Sequence, residues 1–372
     1  MKIPFNKPEF VGNELQYIKD VIDRGHISGD GFYTRLCNSL FEKELGIKKS
    51  LLTTSCTHAL EMTALLLNIR PGDEIILPSY TFVSTANAFI LRGAIPIFID
   101  IKYSTLNMDE NLLEGLITEK TKAIVVVHYA GVSCEMDKII NIANKYNICL
   151  IEDNAHGLYG KYKDRFLGTF GTFSTQSFHE TKNFTCGEGG ALFINDASFL
   201  ERAEYIREKG TNRSKYFRNQ IDKYSWIDIG SSYLLSEILS GVLFAQLEKR
   251  KVIQNKRKTL WEYYYENLKS WAINNGIRLP IIPPECDQSY HNFYFLMPNR
   301  DKRYKLIKHL KNKNFISTFH YVPLHISDMG RKFGYNVGDL PITEKISSLI
   351  VRLPFFNSLK LEEIDFNYFY EF

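Results

Sequence analysis

Short apolar strands that alternate with helical segments constrain the fold of this chain more than any other feature. Apolar runs stand at residues 74–77, 95–99, 123–127 and 148–151, and a pattern typical of an amphipathic helix occupies residues 136–146. A strand that is apolar along its whole length is buried on both faces, which happens when helices cover both sides of a mainly parallel sheet. The pattern therefore predicts an α/β fold built on a parallel sheet.

The length of 372 residues exceeds one ordinary core and indicates about two domains. We expect a large α/β domain over residues 1–250 and a small C-terminal α+β domain over residues 251–372. A long helix predicted at residues 233–258 would link them, and a strand is predicted at residues 316–321. Near the N-terminus, residues 14–23 carry Leu15, Ile18 and Ile22 at helical spacing.

The composition excludes several classes of function. With 46 lysine and arginine residues against 42 aspartate and glutamate residues, the net charge of +4 gives no argument for nucleic acid or an anionic membrane. The six cysteines are scattered without a C-x-x-C pair or a histidine-rich tract, so we predict free thiols, no metal site and no disulfide framework. No signal peptide or membrane-spanning run is recognisable, and we predict a cytoplasmic protein.

Polar clusters follow the predicted strands. In parallel α/β sheets a ligand lies outside the carboxyl ends of the strands. Clusters with the residue types of a binding site stand at residues 54–57, 80–82, 128–129 and 152–156, each just after an apolar run. We therefore expect one site along this edge of the sheet.

The first cluster contains small hydroxyl residues at the start of a predicted helix. The unpaired N–H groups and the dipole of a helix N-terminus can bind an anion, so residues Ser55, Cys56 and Thr57 could form a phosphate cradle. Alternatively, Ser55 or Thr57 simply caps the helix. This segment alone leaves both interpretations open.

Lys182 lies between a strand-like segment at residues 171–177 and a Gly-Glu-Gly-Gly turn at residues 187–190. In such a position a lysine can be partly desolvated, which lowers its pKa and makes the neutral amine available for a Schiff base. Most lysines are solvated surface charges, however, and spacing alone does not distinguish the two.

Asp153 ends a predicted buried strand, where a carboxylate is usually a helix cap or a metal ligand. No second acidic residue or histidine stands at the spacing that a metal site would require. Together with Lys182 and the cradle at residues 55–57, it matches the requirements of pyridoxal 5'-phosphate (PLP). The carboxylate would keep the pyridine nitrogen protonated, and Phe82 could cover the ring. His156 is placed to hydrogen-bond the ring hydroxyl, although a lone histidine is more often structural.

The sequence is similar to the DegT/DnrJ/EryC1/StrS family of sugar aminotransferases over nearly its whole length. S-F-x-x-x-K and E-D-x-A-x-G patterns carry this resemblance, together with runs at residues 4–6, 77–87, 127–131, 177–183, 187–190, 206–214 and 228–233. The R-E-K-G-T-N-R-S and D-I-G-S-S-Y runs narrow it to transaminases that make dTDP-4-amino-4,6-dideoxygalactose for enterobacterial common antigen.

The resemblance implies the PLP-dependent aspartate aminotransferase fold, fold type I, with a large PLP-binding domain and a homodimer whose sites lie at the subunit interface. It also implies a role for each matching residue. Lys182 would carry the cofactor, Asp153 and His156 would contact its ring, and Phe82 would stack on it. The phosphate would be bound by Ser55, Cys56, Thr57 and Ser177. Ser232 stands where many members have an asparagine that reaches the partner's cofactor, and Cys56 replaces a common glycine.

The implied reaction moves an amino group from L-glutamate to a dTDP-4-keto-6-deoxyhexose, giving dTDP-4-amino-4,6-dideoxygalactose or its gluco epimer. For the substrate we single out Tyr321 and His325, which could instead form a packed aromatic turn. Arg213 belongs to a basic loop at residues 207–218 that could hold a diphosphate or be solvated.

Three alternatives remain beside this reaction. The first is amination of a 3-keto nucleotide sugar. The second is a related sugar 3-dehydratase, but in those enzymes a histidine replaces the lysine, so Lys182 argues against it. The third is a non-catalytic protein that uses PLP as a sensor; such a protein would ordinarily carry a partner-binding module, and the sequence shows no helix-turn-helix tail or basic arm.

Overall fold

A seven-stranded sheet organises the chain in the computed structural model, which describes residues 2–372. The strands are β1 (Lys49–Thr53), β2 (Glu74–Pro78), β3 (Ile95–Ile99), β4 (Thr121–Val127), β5 (Cys149–Asp153), β6 (Lys161–Tyr162), β7 (Arg165–Phe166), β8 (Phe173–Ser177), β9 (Gly190–Ile194), β10 (Cys286–Asp287), β11 (Tyr294–Leu296) and β12 (Ile350–Arg352). The large sheet has the order β1-β9-β8-β5-β4-β2-β3. Only β9 runs antiparallel to its neighbours, so the predicted α/β fold with a mainly parallel sheet is confirmed.

Helices cover the sheet and build the rest of the molecule. They are α1 (Glu14–Asp23), α2 (Phe32–Leu45), α3 (Cys56–Leu66), α4 (Val83–Ile90), α5 (Met136–Tyr146), α6 (Leu200–Arg207), α7 (Arg213–Phe217), α8 (Glu237–Glu248), α9 (Arg250–Asn274), α10 (Arg300–Asn312), α11 (Asp328–Arg331), α12 (Pro341–Leu349) and α13 (Asn367–Tyr370). Among residues 2–372, every helix is too short or too polar to span a bilayer.

Local sequence explains why several elements begin and end where they do. Ser55 caps α3, because its hydroxyl accepts a hydrogen bond from the N–H of His58. Gly46 ends α2 in the left-handed conformation, which glycine adopts without a steric penalty. Strands β2, β4 and β5 are buried along most of their length, as continuous apolar runs between two layers of helices require.

A second apolar core lies in the C-terminal part of the chain. Buried side chains from α9, β11, α10 and β12 form it, and Leu260, Tyr264, Leu268 and Phe295 are at its centre. Ile3 also joins this core, pairing with Phe315 across a single parallel bridge. The boundary at residue 250 stays a prediction.

Two predicted elements of the sequence analysis are wrong. The long helix at residues 233–258 is two helices, because the chain changes direction at Lys249 between α8 and α9. Residues 316–321 form no strand, since only Thr318 pairs, in one bridge to Arg352. Both errors arise because the spacing of apolar residues shows neither where a helix is interrupted nor whether a strand has a neighbouring strand to pair with.

Helix α1 has the predicted bounds but not the predicted buried face. Val21 and Glu14 are buried, whereas Leu15 and Ile22 are exposed. The carboxylate of Glu14 accepts hydrogen bonds from the N–H groups of Val11 and Gly12, which accounts for its burial. Leu15 and Ile22 thus remain on the outside of this chain, whereas Val21 is buried and Ile18 is half-buried.

Gly190 provides a test of how the sheet supports the α3 N-terminus. A Cβ at this position would overlap the carbonyl of Ser55 and the nitrogen of Cys56. We expect Gly190→Ala to lower the free energy of unfolding by about 2 kcal/mol or more, because two backbones would have to separate. Denaturant unfolding measures this change.

Gly115 is the matched control for that substitution, since a Cβ there meets no neighbouring atom. Gly115→Ala should leave the unfolding midpoint almost unchanged. Equal stability of the two variants would contradict the close approach of β9 to the start of α3.

Candidate active site

A cavity of about 530 Å³ lies at the carboxyl ends of the parallel strands. The turn before α3, the loop before α4, the ends of β5 and β8 and the segment with Lys182 line one side, and residues of the C-terminal part line the other. It brings together most of the residues singled out in the sequence: Ser55, Cys56, Thr57, Phe82, Asp153, His156, Ser177, Lys182 and Tyr321.

Lys182 lies in the turn that follows β8, where its N–H donates to the carbonyl of His179. Burial lowers the pKa of the amine to about 8, and the positive charge of Arg352 acts in the same direction, whereas the charge of Asp153 opposes the shift. A substantial fraction of this lysine is therefore the neutral, nucleophilic amine at neutral to mildly alkaline pH. The sequence did not distinguish this lysine from a solvated one, and the structure does.

Asp153 is the last residue of β5 and is held on both sides by β4 and β8. The hydroxyl of Thr85 donates to its Oδ2 at 2.7 Å, and the N–H of Ala155 donates to its Oδ1 at 3.2 Å. Burial raises the pKa of the carboxyl, and these two hydrogen bonds oppose that shift. A fixed carboxyl group thus faces the cavity that contains Lys182.

His156 lies beside Asp153 and stacks on His291, with ring centroids 4.0 Å apart. Its Nδ1 is buried without a partner among residues 2–372, and the hydroxyl of Tyr321 lies 3.4 Å from its Nε2. Burial lowers the pKa of both histidines well below the usual value, so both rings are neutral. An unpartnered nitrogen in a buried ring is a group that a ligand can satisfy.

Asn183, next to Lys182, ties the lysine segment to that histidine pair. Its amide donates to the carbonyl of Ser289 at 2.7 Å, and its Oδ1 lies 3.0 Å from Nδ1 of His291. Asn357 in turn donates to the carbonyl of Asn183. Three segments that are distant in sequence therefore meet at the residue after the lysine.

The start of α3 has both features that the sequence left open, a helix cap and a set of free N–H groups that could bind a phosphate. Ser55 caps the helix through its hydroxyl, yet the N–H groups of Cys56 and Thr57 are in the first turn, where no intrahelical acceptor exists. The hydroxyl of Thr57 donates to Ser84 at 2.8 Å, and Gly190 leaves room beside the turn. These donors and the positive end of the helix dipole suit a phosphate group.

This set of groups fits PLP. A reactive amine, a buried carboxyl, an unpartnered imidazole nitrogen and an anion cradle all line one cavity. PLP presents an aldehyde, a pyridine nitrogen, a ring hydroxyl and a phosphate, one for each of these groups. Phe82, half exposed at the cavity, contacts Tyr321 with ring centroids 6.3 Å apart.

Three predicted site residues are not at the cavity of their own chain. The buried imidazole of His325 has Ser79 and Glu344 as hydrogen-bond partners, as expected for a packed turn. Arg213 pairs with Glu208 at 3.2 Å and lies over Phe217, so acidic and aromatic neighbours already satisfy it. Ser232 is on the exposed surface.

The cavity also contains residues that the sequence analysis missed. Thr85, His291, Asn292, His320 and Arg352 all line it. Thr85 follows the polar cluster at residues 80–82, and His320 lies within the strand predicted at residues 316–321. His291, Asn292 and Arg352 are in the C-terminal part, where no motif indicated a site residue. Among residues 2–372, no group of three or more His, Cys, Asp or Glu residues could hold a metal ion.

Comparisons with known proteins show which chains this one is similar to. Residues 8–366 match the model of the DegT/DnrJ/EryC1/StrS aminotransferase family. An uncharacterized protein of Methanocaldococcus jannaschii, MJ1066, is 34% identical over 87% of this chain and 85% of its own. GDP-perosamine synthase of Escherichia coli O157:H7 is 30% identical over 97% of this chain and 95% of its own.

A solved structure shows the same fold. Helicobacter pylori PseC, an aminotransferase involved in the biosynthesis of pseudoaminic acid, superposes with a TM-score of 0.89. It is 27% identical, and the match covers 100% of this chain and 98% of PseC. The predicted aminotransferase fold is thereby confirmed.

The lowered pKa of Lys182 predicts its pH-dependent reactivity. In cofactor-free protein, we expect acylation of this amine to be half-maximal near pH 8, because burial favours the neutral form. Asp153→Asn should move the midpoint lower still, since the carboxylate charge attracts the protonated amine. Mass spectrometry of the peptide that contains Lys182, after brief labelling at each pH, measures the midpoint.

Peptides with exposed lysines provide the internal reference, since such amines ordinarily have a pKa of about 10.4. A midpoint for Lys182 in that range would show that the amine is solvated.

Proposed function

Because the chain belongs to the DegT/DnrJ/EryC1/StrS aminotransferase family, whose members are PLP-dependent sugar aminotransferases, we propose that it moves the amino group of L-glutamate to C4 of a dTDP-4-keto-6-deoxyhexose. The product would be dTDP-4-amino-4,6-dideoxygalactose or its gluco epimer. It would serve the synthesis of a cell-surface polysaccharide, and the reaction would take place in the cytoplasm. The observation that carries the proposal is the shared cavity of Lys182 and Asp153, in which the amine has a pKa of about 8.

Each residue of the cavity has a defined part in this proposal. PLP, when bound, supplies an electron-withdrawing ring that stabilises negative charge on the carbon of the reacting substrate. Asp153 would bind the pyridine nitrogen and keep its proton in place. His156 would bind the ring hydroxyl, and the N–H groups at the start of α3, with Ser55 and Ser177, would hold the phosphate.

Lys182 would both hold the cofactor and move protons. Its amine is neutral often enough, at a pKa of about 8, to accept a proton from the substrate carbon and to return it. A pKa near the working pH suits both directions of proton transfer, which a two-step transamination requires. Phe82 and Tyr321 would exclude water from one face of the ring.

The nature of the acceptor rests on relatives. GDP-perosamine synthase and PseC are named for amino sugars, and both match almost the whole chain. The R-E-K-G-T-N-R-S and D-I-G-S-S-Y runs favour the dTDP-linked 4-keto sugar. Tyr321 at the cavity supports contact with a sugar ring, whereas Arg213 and His325 have other partners in this chain.

Replacement of Lys182 tests the proposal. We expect Lys182→Ala to lose turnover with L-glutamate and dTDP-4-keto-6-deoxyglucose by more than about 100-fold, because no other amine of residues 2–372 lines the cavity to transfer the proton. Wild-type protein treated with borohydride should retain PLP on the peptide that contains residue 182, and the variant should not. The exposed Lys122→Ala is the control and should match wild type in both assays.

NMR of the wild-type product identifies the aminated carbon and its configuration. Amination at C3, or conversion of PLP by glutamate without any sugar product, would overturn the proposed acceptor. Full turnover by Lys182→Ala would overturn the mechanism.

We also propose that the protein is a homodimer, as the resemblance implies. Large apolar side chains are exposed in the segment between α7 and α8, including Trp226, whose surface is 80% exposed, and Ile229. Ser232 follows them in the chain, so an interface there would place it near the partner subunit's site.

Light scattering after gel filtration tests the dimer. We expect about twice the chain mass of 43.2 kDa for wild type, and a shift toward the monomer for Trp226→Asp combined with Ile229→Asp, because charges in an apolar interface are desolvated without partners. Val337→Asp, at an exposed apolar position in the C-terminal part, is the control. A monomeric wild type would contradict the proposal.

A further inference from the structure

The ring of His291 forms part of the cavity wall beside His156. Its side chain is buried, lines the cavity that contains Lys182, and stacks on the imidazole of His156 with ring centroids 4.0 Å and ring planes 15° apart. Tyr129 packs against the same imidazole in an edge-to-face arrangement, with ring centroids 5.9 Å apart. Close-packed rings in face-to-face contact cannot tilt independently, so the plane of His291 determines the plane of His156.

Hydrogen bonds determine which nitrogen of His291 carries the proton. The side-chain amide of Asn183 donates to the carbonyl of Ser289 at 2.7 Å, so its Oδ1 is the acceptor that lies 3.0 Å from Nδ1 of His291. Nδ1 is therefore the protonated nitrogen and donates to Asn183. Burial lowers the pKa of His291 well below its usual value, which keeps the ring neutral. Rotation of this ring would break the hydrogen bond, so Asn183 fixes its orientation.

The backbone of the turn that contains His291 is held as firmly as the ring. Tyr290 has φ of 55°, in the left-handed region that a residue other than glycine adopts only when its surroundings hold it there. The buried guanidinium of Arg257 supplies that restraint, since it donates to the carbonyl of Tyr290 at 2.9 Å and to that of His291 at 2.5 Å. The hydroxyl of Ser289 donates to the carbonyl of His156. The turn thus holds both the backbone and the ring of His156.

The hydrogen bond from Tyr321 gives His156 one free N–H group. Burial raises the pKa of Tyr321 well above its usual value, so the phenol keeps its proton and can donate to Nε2 of His156, 3.4 Å away. The proton of this neutral imidazole is then on Nδ1, which is buried without a partner among residues 2–372. The direction of this N–H group depends on the plane of the ring, which His291 determines.

We propose that His291, anchored by Asn183, is a positioning residue that holds His156 in the orientation from which Nδ1 contacts the ring hydroxyl of PLP. The inference rests on the proposed function, in which His156 binds that hydroxyl. Asn183 directly follows Lys182 in the chain, so the same hydrogen bond relates the hydroxyl contact to the lysine that would hold the cofactor. A misplaced His156 would affect only a ligand that has the hydroxyl, whereas a weakened cavity wall would affect every ligand.

Titration of cofactor-free protein with two cofactors tests this assignment. One is PLP, and the other is 3-deoxypyridoxal 5'-phosphate, which lacks the ring hydroxyl but keeps the aldehyde, the ring nitrogen and the phosphate. Wild type should bind PLP more tightly than the analogue. In His291→Ala that preference should fall by about tenfold, because the hydrogen bond to the hydroxyl is lost, and the affinity for the analogue should not change. Quenching of tryptophan fluorescence measures each dissociation constant.

Further variants separate positioning from a loss of packing. His291→Phe keeps a ring on His156 but has no donor for Asn183, so it should keep part of the preference for PLP. His156→Ala removes the hydroxyl contact itself, and His291→Ala added to it should weaken the binding of PLP no further. His309→Phe is the matched control, because Nε2 of His309 lies 2.9 Å from the carbonyl of Tyr368, outside the cavity. It should bind both cofactors as wild type does, and circular dichroism confirms that each variant is folded.

The outcomes separate this inference from the proposed function. If folded His291→Ala binds PLP as wild type does, or loses affinity for both cofactors equally, the inference is wrong. Additive losses when His156→Ala and His291→Ala are combined would also overturn it. If the titrations give the expected ratios but L-glutamate does not convert the bound PLP, the positioning role stands and the proposed transamination fails. Equal binding of both cofactors by wild type would overturn the inference and the role proposed for His156, but not the transamination.

Discussion

The desolvation of a single amine is the constraint on which the site depends. Lys182 would remain a solvated ammonium if the cavity were open to water, and burial instead lowers its pKa to about 8. The nearby carboxyl of Asp153 limits that shift, and Thr85 and Ala155 hold the carboxyl in place. Both groups are at the ends of neighbouring parallel strands, so the sheet fixes their separation before any ligand binds.

The antiparallel strand β9 connects this pair to the cradle. Gly190 starts β9 opposite both Thr53 and Ser177, so one residue without a side chain joins the strand before α3 to the strand before Lys182. Backbone contact at this point sets the distance between the anion-binding turn and the reactive amine. A rigid cofactor that must reach both needs that distance to be constant.

The sequence predicted the parts of the structure that local patterns encode. The buried strands have continuous apolar runs, and the polar residues that follow them, such as Asp153, meet at one edge because parallel strands point the same way. Lys182 was found through a motif and a resemblance, although spacing alone left it ambiguous. The break at Lys249 was not visible, since the helical pattern on its two sides is similar.

Arg352 and Asn292 could not be found in this way, because they are distinguished by what they lack. Among residues 2–372, the Nε of Arg352 and the side-chain amide of Asn292 have no hydrogen-bond partner, and such a lack is recognised only when every neighbour is known. His325 illustrates the opposite case: its residue type suggested a contact with substrate, but Ser79 and Glu344 occupy its hydrogen-bonding capacity. Long-range contacts decided both cases.

Asn183 limits how this enzyme can be recombined with its relatives. The residue holds Ser289 and His291 through its side chain and Asn357 through its carbonyl, so three segments share one junction. In a chimera whose crossover point lies between residue 183 and residues 289–291 or 357, these hydrogen-bonded residues would come from two different parents and would not have evolved together. If C-terminal halves are swapped to exchange substrate specificity, all four residues must therefore be taken from the same parent.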